Sequence, residues 1–583
     1  MKALKYLNKY FYKYRYRLAT GIVCSIIAQI LALFTPRLIG SSLKVVEQYQ
    51  HGTIKSLADL KYQLFINILV IIGAVLLSGI FTFAVRQMII VMSRHIEFDL
   101  KNEIYEQYQR LSLNFYKKNK TGDLMNRISE DVTKVRMYFG PAIMYSINML
   151  TLFTIVIANM IRIDSSLTLY TLIPLPILSL SIYVLSSIIN KRSTIVQQYL
   201  SKLTAFAQET FSGISVIKAY GIETKNYEEF DKLAKTSKLK NISLFKAQAL
   251  FFPLMILLIG TSNIFVIYFG GMQYIKGQIS LSVIAEFIIY INMLTWPVAV
   301  VGWVSSMVQQ AEASQKRINE FLHVKPEIKN HQKNKIKIHG KITFKNVNFT
   351  YDDTNITALK NVSFTIEAGK TLAILGKTGS GKSTIINLIS RLYDIDSGEI
   401  LIDDIPIKNI NLENLRASIG FVPQESFLFS DTVANNIRFG NEDATLNNIK
   451  SAAQQAYIDH NISLFKDNYQ TLIGERGVTL SGGQKQRISI ARALIKDPQI
   501  LIFDDCLSAV DTETEEKILT NLNKLIHHKT AIIVSHRISS VKNADYIIVL
   551  DKGKIIQKGT HLELLNKKGF YQELYEEQML ESV

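Results

Sequence analysis

The first half of this sequence contains six long apolar runs that are almost free of charge, the last carrying a single acid, Glu286. Crossing about 30 Å of hydrocarbon takes roughly 20 helical residues, and each run has about that length. Buried helices of a large soluble core are shorter and carry polar faces. We therefore predict six transmembrane helices, at residues 18–36, 64–85, 140–161, 166–189, 250–273 and 280–306.

The residues before the first run indicate how the chain enters the membrane. Residues 1–17 carry Lys and Arg but no Asp or Glu, and basic flanks stay on the cytoplasmic side. A signal peptide is the alternative, but Pro36 and Arg37 follow the run without a clear small-residue cleavage site. We expect a cytoplasmic N-terminus and outside connections at residues 38–63, 162–165 and 274–279.

The two cytoplasmic connections, residues 92–139 and 190–249, are long and charged. In the first, apolar residues recur at three- and four-residue steps, which is the period of one helix face: Ile104, Tyr108, Leu111 and Phe115. This pattern predicts transmembrane helices that continue well beyond the bilayer. The transmembrane domain then spans residues 18–322.

Composition agrees with a membrane protein but does not decide its function. The chain of 583 residues is 48% hydrophobic and 20% charged, with a net charge of +17. A basic excess of this size on a soluble protein suggests nucleic acid, yet the cytoplasmic flanks of membrane proteins carry it too. With the apolar runs in place, we expect a lipid bilayer and no nucleic acid as partner. Two cysteines, Cys24 and Cys506, exclude a disulfide framework.

Beyond residue 322 the composition changes. Residues 323–339 are polar and rich in Lys and Asn, as in a linker, and residues 340–583 alternate strand and helix signals. Compact apolar runs at 371–375, 500–503 and 530–534 are typical of buried strands. This pattern predicts an α/β domain around a largely buried sheet.

The strand at 371–375 leads into a P-loop pattern and then into a helix. Glycines let backbone N–H groups wrap a phosphate, and the helix N-terminus adds a positive dipole. Lys382 is suited to the β- and γ-phosphates and the Ser383 hydroxyl to Mg²⁺. The candidate nucleotide-binding residues are Gly376, Lys377, Thr378, Gly379, Ser380, Gly381, Lys382, Ser383 and Thr384. The predicted fold class is therefore an α-helical transmembrane domain of six helices with long cytoplasmic extensions, followed by an α/β P-loop ATPase domain.

A second element has to hold the metal. Residues 500–504 form an apolar strand that ends in Asp504, which is the Walker B form and a candidate partner of Mg²⁺. By itself this signal is weak, because a strand ending in Asp is also ordinary turn chemistry.

Together these motifs resemble those of ATP-binding cassette (ABC) exporters, in particular half-transporters with one six-helix membrane domain and one nucleotide-binding domain. The resemblance covers essentially the whole chain. Its most specific element is the run 480–487, LSGGQKQR, which is similar to the family signature. Other matches are the Q-loop at 422–424, the X-loop at 474–477, the D-loop at 508–511, and the intracellular loops at 115–136 and 209–230.

The resemblance implies roles for further residues. Tyr351 matches the aromatic residue that stacks on adenine, and His536 matches the switch histidine. Each alone has an ordinary explanation, packing for a strand Tyr and capping for a His after a strand; their order along the chain favours the family roles. The implied catalytic residues are Asp505, His536 and Gln424, the metal ligands Ser383, Gln424 and Asp504, and the signature residues Ser481, Gly482, Gly483 and Gln484.

The family mechanism implies that ATP lies between the P-loop of one domain and the signature of another. A single copy would then be incomplete, so the resemblance implies a dimer with a second half-transporter, with ATP and Mg²⁺ bound. Closure of the pair on ATP would turn a central cavity outward, a population shift driven by the ligand.

One residue departs from the family pattern. Most hydrolysing members carry Glu after the Walker B aspartate, and this chain carries Asp505. A general base must reach within about 2.6–3.2 Å of the proton that it accepts, so the shorter side chain predicts low turnover. Members with this change often pair with a subunit that retains Glu, and a heterodimer is therefore favoured over a homodimer.

Two functions follow from these patterns. The first is ATP-driven export of a hydrophobic or amphipathic compound, such as a drug-like molecule, a lipid or a peptide. The second is an ATP-binding regulatory or channel-like subunit that depends on its partner for hydrolysis. By analogy the layout favours a bacterial cytoplasmic membrane, with the nucleotide-binding domain inside the cell.

Polar residues inside the predicted spans admit two interpretations. Glu286 is a candidate for contact with a cationic cargo or for a snorkelling position near the outer interface. Five asparagines are suited either to line a polar cavity or, by preference, to join helices through hydrogen bonds: Asn67, Asn148, Asn159, Asn263 and Asn292.

Overall fold

The structure of the chain, a computed structural model, describes residues 2–330, 332–474, 480–506, 520 and 529–581. The chain divides into two units. The helical unit comprises Met1–Gln109 and Gly122–Val324, and the α/β unit comprises Arg110–Thr121 and Lys325–Val583. The short segment Arg110–Thr121 therefore belongs with the α/β unit, although the sequence places it inside the transmembrane half.

Six helical stretches of the described chain are long and apolar enough to cross a membrane. Each of them contains one predicted run, apart from one residue at the start of the sixth, so the prediction of six apolar helices is confirmed. The stretches are Arg15–Gln50, Leu57–Arg110, Thr121–Ile163, Ser165–Ser212, Glu223–Ile275 and Leu281–Leu322.

The helices of this half extend far beyond the apolar runs, as the amphipathic periodicity predicted. At 1.5 Å per residue, the 54 residues of Leu57–Arg110 form a rod of about 80 Å. The helices described up to residue 322 are α1 (Asn8–Lys13), α2 (Arg15–Ala32), α3 (Phe34–Gln50), α4 (Leu57–Arg110), α5 (Leu113–Lys118), α6 (Thr121–Asn126), α7 (Val132–Met137), α8 (Ile143–Ile163), α9 (Ser165–Leu172), α10 (Pro174–Ser212), α11 (Ile214–Tyr220), α12 (Glu223–Ala249), α13 (Phe251–Ile275) and α14 (Leu281–Leu322).

The first outside connection differs from the prediction. Residues 38–63 were expected to form a loop, but α3 continues to Gln50 and α4 begins at Leu57. Charged residues such as Lys44 end the apolar run without ending the helix, because a helix satisfies its own backbone hydrogen bonds in water as well as in lipid.

Polar side chains inside the helical unit join its helices. Asn148 Oδ1 accepts a hydrogen bond of 2.6 Å from Ser25 Oγ, and Asn67 Nδ2 donates one of 3.0 Å to Ser42 Oγ. Asn159 Nδ2 donates to the Tyr290 hydroxyl at 2.7 Å. These contacts favour the helix-joining role of the asparagines.

Glu286 is turned into the helical unit. It is 9% exposed, and its Oε1 accepts a hydrogen bond of 2.5 Å from the Tyr290 hydroxyl. The backbone of α3 passes close to it, since a Cβ built on Gly40 would lie 3.3 Å from Glu286 Oε2. This position does not fit a snorkelling side chain, whose charged end reaches toward water.

The α/β unit contains two sheets in its described residues. A four-stranded antiparallel sheet has the order β2-β1-β4-β5, and a six-stranded sheet has the order β10-β9-β3-β8-β7-β6. The strands are β1 (Ile342–Tyr351), β2 (Ile356–Ile366), β3 (Thr371–Gly376), β4 (Ser397–Ile402), β5 (Ile405–Pro406), β6 (Ile419–Val422), β7 (Ile500–Asp504), β8 (Thr530–Val534), β9 (Tyr546–Asp551) and β10 (Lys554–Gly559).

The central strands of the larger sheet are parallel and buried on both faces. Along β3, Leu372 and Ile374 join one hydrophobic cluster, and Ala373 and Leu375 join another. Because side chains alternate between the faces of a sheet, a strand covered on both sides reads as an uninterrupted apolar run. This explains why the runs at 371–375, 500–503 and 530–534 were recognisable in the sequence.

Helices cover these strands. The described helices of the α/β unit after residue 325 are α15 (Lys382–Ile389), α16 (Leu412–Ala417), α17 (Val433–Arg438), α18 (Leu446–Gln455), α19 (Asp459–Ser463), α20 (Gly482–Leu494), α21 (Ile538–Val541), α22 (His561–Leu565) and α23 (Phe570–Glu581).

Candidate nucleotide site

The predicted catalytic and phosphate-binding residues meet at one edge of the six-stranded sheet. Strand β8 lies between β3 and β7, and its last residue, Val534, pairs with Ile374 on one side and with Asp504 on the other. The carboxyl ends of parallel strands share an edge of the sheet, which is where ligands bind in open α/β sheets. The loops that follow β3, β7 and β8 therefore lie at the same edge of the sheet.

The loop after β3 has the backbone that a phosphate cradle requires. Gly376 has a φ of 151° and Gly381 a φ of 106°, both in the region that favours glycine. A Cβ at Gly376 would lie 2.2 Å from the Leu550 carbonyl oxygen, and one at Gly381 2.5 Å from that of Ala358. Glycine is therefore required at both positions, because the backbone has a positive φ and because a neighbouring carbonyl lies too close for a Cβ.

A turn from elsewhere in the unit supports this loop. The Gly553 N–H donates to the Ser380 carbonyl at 3.0 Å, and the Lys360 N–H donates to the Gly553 carbonyl at 2.8 Å. Sequence reasoning did not identify Lys360, Lys552 or Gly553. The Lys552-Gly553 pair has the composition of a turn, but no local signal shows that this turn lies beside the P-loop.

A cavity of about 610 Å³ opens at this edge. Of the predicted P-loop residues, Thr378, Gly379 and Gly381–Thr384 line it, whereas Gly376, Lys377 and Ser380 belong to the loop without lining the cavity. The other predicted residues that line it are Tyr351, Gln424, Asp504, Asp505 and His536.

Lys382 folds back over its own loop. Its Nζ donates to the carbonyl oxygens of Gly376, at 2.7 Å, and Lys377, at 3.0 Å. Burial lowers the pKa of Lys382, and the nearby carboxylates of Asp505 and Asp504 oppose that shift. The ammonium is therefore held at the phosphate cradle by weak neutral acceptors, which an anionic phosphate can replace with stronger charge-assisted bonds.

Asp504 ends β7 at the cavity wall. Ser383 Oγ donates to Asp504 Oδ1 at 3.4 Å, and Asp504 is 7% exposed. Burial raises the pKa of Asp504, with the Ser383 hydrogen bond acting in the opposite direction. A divalent cation would stabilise a buried carboxylate beside a hydroxyl, because its positive charge replaces the favourable interaction with water that the carboxylate loses on burial.

Asp505 has a left-handed backbone, with a φ of 43°. Its N–H donates to the Val534 carbonyl at 2.9 Å, and its Oδ2 accepts a long hydrogen bond of 3.4 Å from Gln424 Nε2. Burial raises the pKa of the Asp505 carboxyl, which makes it a stronger base than an exposed aspartate. Gln424 therefore contacts the candidate base, although it was also predicted as a metal ligand.

His536 follows β8 at the same edge. Burial lowers the pKa of its imidazole, and the Lys382 charge acts in the same direction. The ring is therefore neutral at pH 7, with one nitrogen able to donate a hydrogen bond and the other to accept one.

Tyr351 stands at the end of β1, on the same cavity. Its hydroxyl lies 3.0 Å from Thr384 Oγ1, and its ring meets that of Tyr393 edge-on, with centroids 5.5 Å apart. The ring is thus held beside the P-loop helix α15, where a base attached to bound phosphates can reach it.

The signature segment lies outside this cavity. Ser481 caps α20: its Oγ accepts from the Gln484 N–H at 3.3 Å, and its own N–H donates to Gln484 Oε1 at 3.0 Å. None of the residues 481–484 is among the described residues that line the cavity. The D-loop at 508–511, and the X-loop from residue 475 onward, lie outside the described residues.

The residues present fit nucleotide and Mg²⁺ without a dedicated protein cage for the metal. In the described part of the chain, no group of three or more His, Cys, Asp or Glu side chains is placed to hold a metal ion. Mg²⁺ in nucleotide sites takes one or two protein ligands, and its other ligands are phosphates and waters. The buried Ser380 Oγ, which has no hydrogen-bond partner among the residues that the structure describes, is a further group available to a phosphate.

A unit of six membrane-length helices fused to a P-loop α/β unit defines a membrane transporter powered by nucleotide hydrolysis. Comparison with known families agrees. Residues 18–298 match the family model described as the ABC transporter transmembrane region, and residues 359–508 match the model described as ABC transporter.

Relatives of similar length share this organisation. The chain is 35% identical over 580 residues to the probable multidrug resistance ABC transporter ATP-binding/permease protein YheI of Bacillus subtilis, covering 99% of this chain and 98% of the relative. It is 34% identical over 583 residues to the multidrug resistance-like ATP-binding protein MdlA of Escherichia coli, covering 100% and 98%. An ATP-dependent lipid A-core flippase of Syntrophus aciditrophicus is 36% identical over 495 residues, 84% of this chain and 82% of the flippase.

A solved structure has the same fold. A bacterial Atm1-family ABC exporter with ATP bound superposes with a TM-score of 0.81 at 25% identity, covering 97% of this chain and 99% of that one. The chain belongs to the ABC transporter family, as a half-transporter with one membrane domain and one ATPase domain. The resemblance and the fold class predicted from the sequence are therefore confirmed, and the chain couples ATP hydrolysis to export.

Proposed function

We propose that the chain exports hydrophobic or amphipathic compounds by alternating access, as one half of a dimer. The observation that carries this proposal is the convergence of Lys382, Ser383, Asp504, Asp505 and His536 on one cavity. Relatives named for multidrug resistance and for lipid A-core flipping support a drug-like or lipid cargo.

The position of the signature segment, away from the cavity, supports the dimer. The described residues that line it include the P-loop but not the signature residues Ser481–Gln484. A second chain is the source of a signature segment for this P-loop, and the signature of this chain completes the other site. ATP then binds the closed pair better than the open one, and this difference in affinity drives closure.

The predicted site residues have the following roles in the proposed mechanism. The P-loop N–H groups and Lys382 bind the phosphates, and Tyr351 stacks on adenine. Asp505 accepts a proton from the attacking water, with Gln424 orienting that carboxylate through the contact described above. Neutral His536 donates a hydrogen bond toward the γ-phosphate.

Ser383, Asp504 and Gln424 are the residues that would hold Mg²⁺. The ion would neutralise charge on the phosphates. Ser383 and Asp504 are already in contact, so they need little rearrangement. Gln424 donates to Asp505 through Nε2, so its Oε1 is the atom that would ligate the metal.

We further propose that the partner is a different half-transporter. Asp505 is one methylene shorter than the usual Glu, which places the carboxylate farther from water on the phosphate. A partner that carries Glu would form the competent site together with Ser481–Gln484 of this chain. A homodimer with slow turnover is the other outcome.

The helical unit offers a site of matching chemistry for the cargo. A cavity of about 200 Å³ is lined by the amides of Gln29 and Asn148, the rings of Tyr145 and Trp296, and apolar side chains. Mixed apolar and hydrogen-bonding walls suit amphipathic molecules. This cavity supports the substrate class without selecting one compound.

The basic residues 1–17 support a cytoplasmic N-terminus, and six crossings then put the nucleotide-binding domain on the same side. Since the relatives named above are bacterial, we place the protein in the bacterial cytoplasmic membrane.

Inside-out vesicles test this proposal. Vesicles containing the chain, with and without a co-expressed half-transporter that has Glu after Walker B, are supplied with Mg-ATP and a fluorescent amphipathic dye. We expect dye uptake and dye-stimulated ATPase activity, both lost in Lys382→Ala. ATP binding without uptake, even with the partner present, would instead support a regulatory or channel-like subunit.

A further inference from the structure

The segment Arg110–Thr121 connects two helices of the helical unit but belongs to the α/β unit. The chain enters it from α4, forms the short helix α5, and leaves it into α6. Asn114, 5% exposed, anchors it: its Nδ2 donates to Glu327 Oε1 at 3.0 Å and lies 3.4 Å from Asp352 Oδ2. Asp352 directly follows Tyr351, so the anchor sets α5 beside the adenine-stacking candidate.

Lys117, on this helix, lies against two aromatic rings. Its Nζ is 4.4 Å from the ring centroid of Tyr351 and 5.1 Å from that of Tyr393. Both distances are within the roughly 6 Å over which a cation is attracted to the face of a ring.

Tyr393 supports the contact between Lys117 and Tyr351. It is 7% exposed, and its ring lies 5.5 Å from both Phe349 and Tyr351, edge-on to the latter at 88°. Three contacts therefore hold Tyr351: the edge-on contact with the Tyr393 ring, the contact of its hydroxyl with Thr384, and the Lys117 ammonium. Tyr393 and Thr384 belong to the nucleotide-binding domain, whereas Lys117 comes from the connection between membrane helices.

The ammonium reaches Tyr351 from outside the nucleotide cavity. Tyr351 lines that cavity, but neither Lys117 nor Tyr393 is among the described residues that do. The part of the ring that faces the cavity thus remains available for a base while the cation occupies another part.

We propose that Lys117 is a positioning residue for the adenine base, acting through Tyr351. The inference rests on the proposed stacking of ATP on that ring. Lys117 holds the ring in the orientation that stacks, so binding of the base and the docking of α5 favour one another. By linkage, the effect is reciprocal: α5 improves the affinity for the base, and the base holds α5 in place.

The proposal is tested by comparing the binding of two ligands to the purified full chain in nanodiscs, with EDTA present to suppress hydrolysis. The affinities of ATP and of tripolyphosphate, which has no base, are measured by competition with a fluorescent ATP analogue. The variants are Lys117→Gln, Lys117→Arg and Tyr351→Ala. Lys118→Gln is the matched control, since Lys118 is exposed and its side chain makes no hydrogen bond, ion pair or ring contact in the described part of the chain.

We expect Lys117→Gln to weaken ATP binding roughly 2- to 5-fold, the range of an exposed cation–π contact, and to leave tripolyphosphate unchanged. Lys117→Arg keeps a cation and should restore the affinity for ATP, and Lys118→Gln should match the parent chain. Equal weakening of both ligands would show a merely structural role and overturn the inference.

Tyr351→Ala separates this inference from the proposed function. If it weakens ATP while Lys117→Gln has no effect, the stacking role of Tyr351 stands and the role of Lys117 is wrong. If Tyr351→Ala itself leaves ATP affinity unchanged, the proposed adenine contact fails, and the inference fails with it.

Discussion

The two units of this protein bury their apolar residues differently. In the α/β unit every residue of β7 and β8 is buried by the unit itself. In the helical unit, only 6% of the most apolar window of Leu57–Arg110 is buried, and Leu76 and Leu257 are 65% and 66% exposed. Exposed side chains of this kind have to be covered by lipid or by a second chain. The α/β unit thus completes its own core, whereas the helical unit does not.

Polar groups follow the same division. The α/β unit brings Lys382, Ser383, Asp504, Asp505 and His536 together at one cavity, where they can act on a ligand. The helical unit uses single hydrogen bonds, such as Ser25 to Asn148 and Asn159 to Tyr290, to join helices. We therefore expect substitutions in the cavity to change chemistry and polar substitutions in the helices to change packing. Four predictions test this division, in order of decreasing effect.

The largest effect is expected at the phosphate cradle. Lys382→Ala removes the cation that binds the β- and γ-phosphates and should lower ATPase activity 100- to 1000-fold, about 2.7–4 kcal/mol. Mg-ATPase assays of the transporter in nanodiscs measure this. Lys345→Ala, which breaks only an exposed ion pair with Glu399, should retain full activity. A Lys382→Ala protein that still hydrolyses ATP would remove this cavity from the mechanism.

The second prediction concerns a partly buried cation with a structural role. Arg492, at the end of α20, donates to the Asn436 and Phe427 carbonyls and to Asn436 Oδ1 at 2.8–2.9 Å, and burial lowers its pKa to about 10. Arg492→Met removes the donor to both carbonyls, whereas Asn436 Oδ1 keeps its hydrogen bond from the Phe429 N–H, and it should destabilise the α/β unit by about 2–3 kcal/mol. Thermal unfolding of the full chain, monitored by fluorescence, measures this loss.

Arg438→Met is the matched control, because among the described residues Arg438 makes a single side-chain hydrogen bond, to Asn435 on the surface. It should shift the unfolding midpoint little. Equal shifts for the two variants would mean that burial of the Arg492 network contributes nothing.

The third prediction concerns Asp505, the candidate general base. Asp505→Asn removes the proton acceptor and should lower the ATPase rate of the chain alone about tenfold, or about 1.4 kcal/mol. The factor is small because the shorter Asp is expected to be a poor base already. Asp505→Glu should raise the rate. These rates, measured without a partner, decide how far the chain depends on one.

Two outcomes would contradict this view. Robust hydrolysis that Asp505→Asn abolishes would show that Asp505 is an efficient base and that no partner with Glu is needed. Unchanged hydrolysis in Asp505→Asn would deny Asp505 the base role altogether.

The smallest effect is expected in the helical unit. Tyr290→Phe removes the hydroxyl that donates to Glu286 and accepts from Asn159. Hydrogen bonds between membrane helices average about 0.6 kcal/mol, so a small fall in the unfolding midpoint in detergent is expected, with ATPase activity retained. Tyr268→Phe, at a 63% exposed ring on α13, is the control. A loss as large as that of Arg492→Met would contradict the division between the units.

Much of the nucleotide site could be predicted because its signals are local. The glycines of 376–381 specify a backbone conformation within one loop, and the apolar run 500–504 specifies a strand with its acid at the end. The P-loop lysine and both aspartates follow from these short patterns. The sequence did not locate Lys552 and Gly553, because a turn pattern carries no information about which distant loop it supports.

The same limit applies to the helical unit. An apolar run of sufficient length determines a membrane helix by itself, since lipid requires an internally hydrogen-bonded backbone. The end of the helix is not determined in this way, which explains why α3 continues through the predicted loop. The orientation of Glu286 toward Tyr290 and Gly40 depends on how α3 and α14 pack.

The sequence alone thus determined the six helices, the buried strands and the P-loop, because each depends on residues close together in the chain. Only the tertiary structure decided that Lys117 meets Tyr351 and Tyr393, that Glu286 is buried, and that the signature segment lies outside its own chain's P-loop cavity. These contacts join residues far apart in the sequence, and their geometry comes from the packing of whole elements, which no local pattern encodes.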